Sequence, residues 1–448
     1  MSLPPDAGLH PAVQMYRWTR APFELLDECH ERFGDAFSLK ILGLDAPLVI
    51  VSDPEVVKGV FGLGPDEGHA GKANFILKPF LGEHSLLLLD GAEHMRQRKM
   101  IMPAFHGERM HAYGQTMLAA AHDSVDAWPE GRPFPVHRPM QAVTLQIILR
   151  TVFGVAEGPR LRELADALTH ALDLAGWPMH LFGFMQKDLG PLSPWGRFLR
   201  HMKRARNVLR QEIASARREG TDKRTDVLAM MLESKDESGR GLTEDELVDE
   251  LGTLLVAGHE TTATSLAWAL RWILADRPLL GRLIDEISSA NGDPLRLSKL
   301  ELLDATVKEA LRVQPVIPMV GRVLQEPATF GPLSLPANVM VAPSIYLVHH
   351  RPSLYPEPSR FKPERFMGWK PAPWEFLPFG GGLRRCVGAT FAIYEMKMVL
   401  AAVLPRVSLH LAAERITTIR RGITLTPSDG LPILVTRKRS RRDMPRAA

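Results

Sequence analysis

Apolar residues recur with helical spacing over most of the chain. Pro22 to Phe33 reads as a helix, and so do most segments from Met95 to Arg218, apart from Pro- and Gly-rich loops near 129–135, 154–159 and 188–196. The longest such pattern starts at Thr243-Glu244-Asp245-Glu246, which has the form of a capping box. It runs to about Leu274, roughly 30 residues against a mean of about 11–12 for globular proteins, and predicts a central helix of a large unit. Helices are also expected over 278–289, 300–312 and Val387 to Leu404. Strand signals cluster at Phe37 to Ile41 and Pro47 to Val51, joined by a turn at Gly43 to Asp45, then at Arg322 to Val348 and at 406–436. Ser52-Asp53-Pro54-Glu55 reads as a helix start capped by Ser52. The charged stretch 219–241 reads as a solvated loop, and seven prolines in 352–378 predict a meander with little regular structure. The expected fold is mainly α with a small β-rich part, without internal repeats or heptads.

Composition narrows the class without setting the function. The chain has 448 residues, 45% hydrophobic and 24% charged, as in an ordinary globular protein. That length allows two or three domains. Two cysteines, Cys29 and Cys386, exclude a disulfide scaffold and a multi-cysteine metal site. The net charge of +4 is local. The segment Arg437 to Ala448 holds six basic residues and one acid, so it carries +5 and leaves the body at −1. It is expected to be a flexible basic tail, and overall charge argues for no nucleic-acid role. The N-terminus lacks the basic and apolar regions of a signal peptide. The longest stretch free of charged side chains, Pro327 to His350, contains four prolines and cannot be a spanning helix. A cytoplasmic protein with reduced thiols and no membrane anchor is expected.

Four segments carry candidate chemistry. In Phe379-Gly380-Gly381-Gly382-Leu383-Arg384-Arg385-Cys386-Val387-Gly388, glycines permit a tight turn and close approach. Cys386 stands just before a predicted helix, where the helix N-terminus and the arginines favour a thiolate. In Ala257-Gly258-His259-Glu260-Thr261-Thr262, a glycine and two threonines weaken the long helix. The helix there is either opened locally around a ligand or packed closely against another helix. Glu260 beside a hydroxyl is a candidate proton relay. Glu309 and Arg312 share a helix face and can pair. His94 and Arg98 lie one turn apart. A phosphate-binding loop, a nucleophile elbow and a zincin motif are all missing, the last because Ala263 replaces its second histidine.

In this order and spacing, the segments resemble a cytochrome P450 of the soluble bacterial type. Phe379-x-x-Gly382-x-Arg384-x-Cys386-x-Gly388 is similar to the family's haem-binding signature, and Ala257-Gly258-x-Glu260-Thr261-Thr262 to its oxygen-activation motif. Glu309-x-x-Arg312 and Pro363-Glu364-Arg365-Phe366 are similar to its charge-pair and meander motifs. The resemblance implies one P450 domain over 1–436, with the tail at 437–448. It implies haem b (iron protoporphyrin IX) with Cys386 as the axial iron ligand, a thiolate that favours O–O cleavage. His94, Arg98, Arg322 and Arg384 are implied as propionate partners, with Phe379, Gly388 and Ala257 against the porphyrin. Glu309, Arg312 and Arg365 are implied as a buried structural network, and Glu260 and Thr261 as the proton-delivery pair. Cys29 is expected to be an inert packed thiol.

The implied activity is insertion of one oxygen atom of O2 into an apolar substrate, by hydroxylation or epoxidation. Electrons would come from NAD(P)H through a separate ferredoxin reductase and ferredoxin, which would dock on Arg98, Lys99, Arg385 and Lys397 of a monomer. The substrate pocket is expected from Phe75, Ile76, Leu77, Phe80, Ala257, Val316, Ile317, Met319, Val320, Thr424 and Leu425, and from the 172–186 region with Trp177, Phe182 and Phe184. An apolar pocket suits a fatty acid, terpenoid, steroid or polyketide, as in secondary metabolism, with Lys72 or Lys78 as possible carboxylate anchors. Two alternatives stay open: a haem-thiolate isomerase or dehydratase, and a non-enzymatic haem sensor or recruitment protein. The Glu260-Thr261 pair favours oxygen activation over both.

Overall fold

The computed structural model describes residues 3–42, 44, 47–105, 109–154, 158–175, 186–222 and 224–440. The fold is mostly helical with small sheets, as the apolar pattern implies. The central helix, Glu244–Ala275, is unbroken. At its start Thr243 Oγ1 accepts from the Glu246 amide while the Glu246 carboxylate accepts from the Thr243 amide, so two amides left over at the helix start are satisfied reciprocally. Leu247, Leu251, Leu255, Leu266, Leu270 and Ile273 are buried along it and join the main core. The helices His137–Phe153, Pro194–Glu219, Glu301–Val313 and Ala389–Val403 pack around it.

The strands, in chain order, are β1 (Ala36–Leu39), β2 (Leu48–Val51), β3 (Gly68–His69), β4 (Pro133–Pro135), β5 (Arg322–Leu324), β6 (Ala328–Phe330), β7 (Leu333–Leu335), β8 (Met340–Pro343), β9 (Val407–Leu411), β10 (Thr418–Arg421), β11 (Thr424–Pro427) and β12 (Pro432–Lys438). The largest sheet has the order β1-β2-β8-β5-β3. β1 and β2 pair antiparallel as expected, and β2 runs parallel to β8. All four residues of β2 are buried because both faces of this sheet are covered, by two separate apolar clusters.

Several local expectations are corrected. Asp53, not Ser52, caps the helix Pro54–Phe61: its Oδ1 accepts from the Glu55 and Val56 amides, while the Ser52 hydroxyl donates to Asp35 at 2.7 Å. The stretch 219–241 contains a helix, Val227–Glu233, which buries Val227, Leu228 and Met231 beneath a charged sequence. The strand signal near Val348 belongs to a buried helix, Ile345–His349, whose β-branched residues follow the tertiary setting rather than their propensity. β12 continues to Lys438, two residues into the expected tail, and 441–448 lie outside the described residues. Of the predicted turn at 43–45, only Leu44 is described.

A buried ion cluster ties the helix Glu301–Val313 to the meander. Arg312 donates to both oxygens of Glu309, at 2.7 and 2.8 Å, and to the His349 carbonyl at 2.8 Å. Arg365 Nε adds 3.0 Å to Glu309 and the Lys362 amide 2.8 Å, so the carboxylate is fully engaged. Glu309 and Arg312 have no accessible surface. Replacing Glu309 by Ala strands a buried guanidinium, and urea unfolding should show a loss of about 3–5 kcal/mol. An unchanged midpoint would contradict this reading.

Candidate active site

The loop 379–388 is shaped by close approach. Gly382 sits at φ +63°, and a Cβ there would lie 2.0 Å from the Phe61 carbonyl oxygen. A Cβ on Gly381 would lie 2.4 Å from the Phe61 ring. Only glycine allows the loop to lie against the helix Pro54–Phe61 in this way. The loop forms a short 3-10 turn, Gly382–Arg384, and the Cys386 amide donates to the Phe379 carbonyl at 2.9 Å. The following helix starts at Ala389 with Gly388 as its cap, so Cys386 stands two residues before the cap.

Cys386 lines a cavity of about 1430 Å³, larger than the usual 300–1,000 Å³ of a small-molecule site. The thiol pKa is raised, against the expected direction. Burial is the largest cause, and the Gly388 amide, Arg98 and Arg385 act against it. The sulfur-bearing residue still has accessible surface because it faces the cavity space. Desolvation by the surrounding protein therefore outweighs the helix start and the arginines. Cys29 is buried in a separate apolar cluster, and burial pushes its thiol up to about 11.

Four basic residues from separate stretches of chain meet in the cavity wall: His94, Arg98, Arg322 and Arg384. Arg384 donates to the Leu86 carbonyl at 3.1 Å, to the Leu89 carbonyl and to Asp90. Arg98 donates to the Arg385 carbonyl at 2.7 Å, and Arg322 to the Gly321 carbonyl at 2.9 Å. Burial, then Arg384, Arg98 and Arg322, hold the His94 pKa down to about 3. Burial and the neighbouring charges bring Arg322 and Arg384 down to about 10, with only Asp90 opposing.

The central helix supplies Ala257, Glu260 and Thr261 to the same cavity. The helix does not open here. Thr261 Oγ1 donates to the Ala257 carbonyl at 2.6 Å, and Thr144 Oγ1 reaches the His259 carbonyl at 3.0 Å. Gly258 makes room for Ile148, whose Cδ1 would lie 3.3 Å from an added Cβ. Close packing against the helix His137–Phe153 explains the glycine. Glu260 Oε2 accepts from Gln141 Nε2 at 2.7 Å, and His137 Nε2 stands 3.7 Å from Oε1. Burial raises the Glu260 pKa and lowers those of His137 and His259 to about 4. Gln141 and His137 were not singled out from the sequence, because no local motif marks a residue that acts across a helix–helix contact.

The expected pocket is partly corrected. Ile76, Leu77, Phe80, Val316, Ile317, Met319, Val320 and Thr424 line the cavity, with Phe379 and Gly388. Phe75 is 45% exposed and Leu425 is fully buried, and neither lines it. Leu425 is occupied in the core, where its carbonyl accepts from Trp268 Nε1 at 3.0 Å. Trp177, Phe182 and Phe184 lie outside the described residues. Lys72 and Lys78 do not line the cavity; they bond to Gln325 and to Glu83. Lys397 is buried against Asp304 at 2.8 Å and offers no docking charge, and Lys99 is held by Glu237 at 2.8 Å. Of the proposed docking residues, Lys99 and Arg385 are exposed.

The match to the cytochrome P450 family model spans residues 4–433, so the chain belongs to that family. A Mycobacterium tuberculosis protein provisionally named cytochrome P450 135B1 is 40% identical over 91% of this chain and 86% of its own length. Another from that organism, provisionally named cytochrome P450 135A1, is 36% identical over 96% and 94%. The solved structure of a retinoic acid-bound cyanobacterial CYP120A1 shares the fold with a TM-score of 0.84 at 22% identity, covering 97% of this chain and 99% of that one. A cytochrome P450DA haem domain gives the same score and identity over 99% of both chains. The chain is therefore an oxidoreductase of the monooxygenase type, in a family that is generally haem-thiolate and uses haem iron and O2. Among the described residues no helix is long and apolar enough to cross a membrane.

Buried neutral histidines give this fold a defined acid sensitivity. His94, His137 and His259 have folded pKa values of about 3, 4 and 4, below the unfolded value of about 6.5. The unfolded chain therefore binds more protons, and these residues' contribution to stability is lost as pH falls from about 6.5 towards 4. The urea midpoint of the haem-free protein should drop over that window, and less steeply in His259→Gln. Equal slopes in the two proteins would refute the assignment.

Proposed function

We propose that the chain is a haem-thiolate monooxygenase that inserts one oxygen atom of O2 into an apolar substrate, and that Cys386 would hold the haem iron through its sulfur. The carrying observation is the shared cavity. It holds Cys386, the four-residue basic cluster and the Glu260-Thr261 pair, with apolar side chains between them. The residues fit the group. Three guanidiniums and the neutral donor His94, with one acid among them, call for anionic partners, and the two haem propionates supply these. Gly388 has open space where a Cβ would stand, which leaves room for a flat ring beside Cys386.

When bound, haem supplies an iron that activates O2 with two electrons and two protons, so that one oxygen atom enters the substrate and the other leaves as water. The protein's own residues do the rest. Cys386 gives up its proton on ligation, helped by the Gly388 amide, Arg98 and Arg385. His94, Arg98, Arg322 and Arg384 hold the propionates. The Thr261 hydroxyl can turn from the Ala257 carbonyl to hold water beside the reacting oxygen. Burial raises the pKa of Glu260, so it holds a proton more readily than an ordinary carboxylate and would pass it on. Gln141 fixes its side chain, and neutral His137 leaves it without a full ion pair. Ile76, Leu77, Phe80, Val316, Ile317 and Met319 would contact the substrate and exclude water. Electrons would come from NAD(P)H through a ferredoxin reductase and a ferredoxin, for which Arg385 and Lys99 are exposed basic contacts.

The reduced protein with carbon monoxide should show a thiolate-type Soret shift that Cys386→Ser removes; no such shift in the native chain would overturn the assignment. In steady-state turnover, Thr261→Ala should consume reductant while releasing more peroxide and several-fold less product. Unchanged coupling in that variant would remove the role given to Thr261.

A further inference from the structure

The cavity contains a second group of cations, apart from the His94 cluster. The β10–β11 hairpin brings Arg420 and Arg421 to its lining, and Arg20, Arg138 and Arg162 also line it. Arg421 has an acid within reach, Asp173 at 3.7 Å. Arg420 has none. Burial lowers its pKa, to about 9, and no carboxylate among the described residues raises it.

The guanidinium of Arg420 is nevertheless held in place. Its Nε donates to the Trp18 carbonyl at 3.1 Å, and its carbon lies 4.2 Å from the centre of the Trp18 ring. Nη2 is buried without a hydrogen-bond partner. Arginine has five N–H donors in one plane. With Nε occupied, the Nη edge of the fork carries an N–H donor, on Nη2, without an acceptor among the described residues. That edge matches the two oxygens of a carboxylate. Apolar Met15, Trp18, Ile41 and Leu44 line the same cavity. A buried cation without a counter-charge is unfavourable unless something pairs with it. Here the space beside it is the cavity given to the substrate.

We infer that Arg420 anchors a carboxylate carried by the substrate, which narrows the substrate class from apolar molecules in general to apolar acids. The inference rests on the monooxygenase reading of the cavity. The opposing account is purely structural: Arg420 clamps the helix Pro11–Arg20 to the hairpin through Trp18. A clamp affects stability, but it does not discriminate an acid from its ester.

The test uses haem-loaded protein and three apolar acids, dodecanoate, hexadecanoate and dehydroabietate, each beside its methyl ester. Binding is measured by calorimetry and by the haem spin-state shift. At least one acid should bind about ten- to a hundredfold tighter than its ester, the worth of a hydrogen bond to a charged group. The preference should shrink to about twofold or less in Arg420→Met and stay intermediate in Arg420→Lys, which keeps the charge but not the fork. The inference is overturned if all three acids bind no tighter than their esters in the native protein, or if the preference survives in Arg420→Met. Should Arg420→Met fail to load haem, the native comparison and Arg420→Lys decide. The calorimetric preference needs no turnover. A native protein lacking the carbon monoxide signature would therefore remove the monooxygenase reading and leave the anchor to be judged separately.

Discussion

Arg98, Arg322 and Arg384 are brought together, beside neutral His94, in one wall of a largely apolar cavity, and the fold must hold the three guanidiniums there against their mutual repulsion. Asp90 offsets part of the charge through Arg384, and backbone carbonyls of Leu86, Leu89, Gly321 and Arg385 take up N–H groups. The cluster therefore exists only while β5, the helix Gly91–Ile101 and the loop 379–388 keep their relative positions. The sheet sets the first of these, since β5 is hydrogen-bonded to β8 and β3. Phe61 against Gly381 and Gly382 sets the third. The result is a rigid site with excess positive charge, suited to an anionic cofactor rather than to an empty state.

The same desolvation works in opposite directions on the other side of the cavity. It lowers the pKa of His137 and His259 and raises that of Glu260, so that the acid is not locked as an anion by a protonated histidine. Gln141 holds the carboxylate without charging it. A carboxyl group that holds its proton more tightly than an ordinary carboxylate thus arises from helix packing, on a regular helix whose carbonyls accept from the Thr261 and Thr144 hydroxyls. Positive charge at one end, a tunable acid at another and apolar walls between them fit the family's chemistry. Arg420 stands apart from both polar groups, which makes it informative about the substrate.

The local elements that could be read from the chain were those governed by short-range physics. The capping box at Thr243, the long helix and the β1–β2 pair follow from neighbouring residues and from periodicity. So did the haem signature, because a glycine turn before a cysteine is a local pattern. Where prediction failed, a distant contact had decided the outcome. Val227–Glu233 is a helix because its apolar residues find a core that the charged flanks conceal. Ile345–His349 is a helix despite its β-branched residues because it is buried on all sides. Phe75 and Leu425 belong to the expected pocket segments, yet one points to solvent and the other into the core.

The family, the mainly helical class and the cysteine proposed to hold the iron were legible in the sequence alone, because each depends on residue type and spacing along the chain. The charge state of that cysteine, the partners of Glu260, the loss of Lys397 from the surface and the unpaired Arg420 in the cavity were decided by the tertiary structure. Each of these depends on what lies across the cavity or across a packed helix. Desolvation and hydrogen bonding act over a few ångströms of space between residues that may be hundreds of positions apart in the chain.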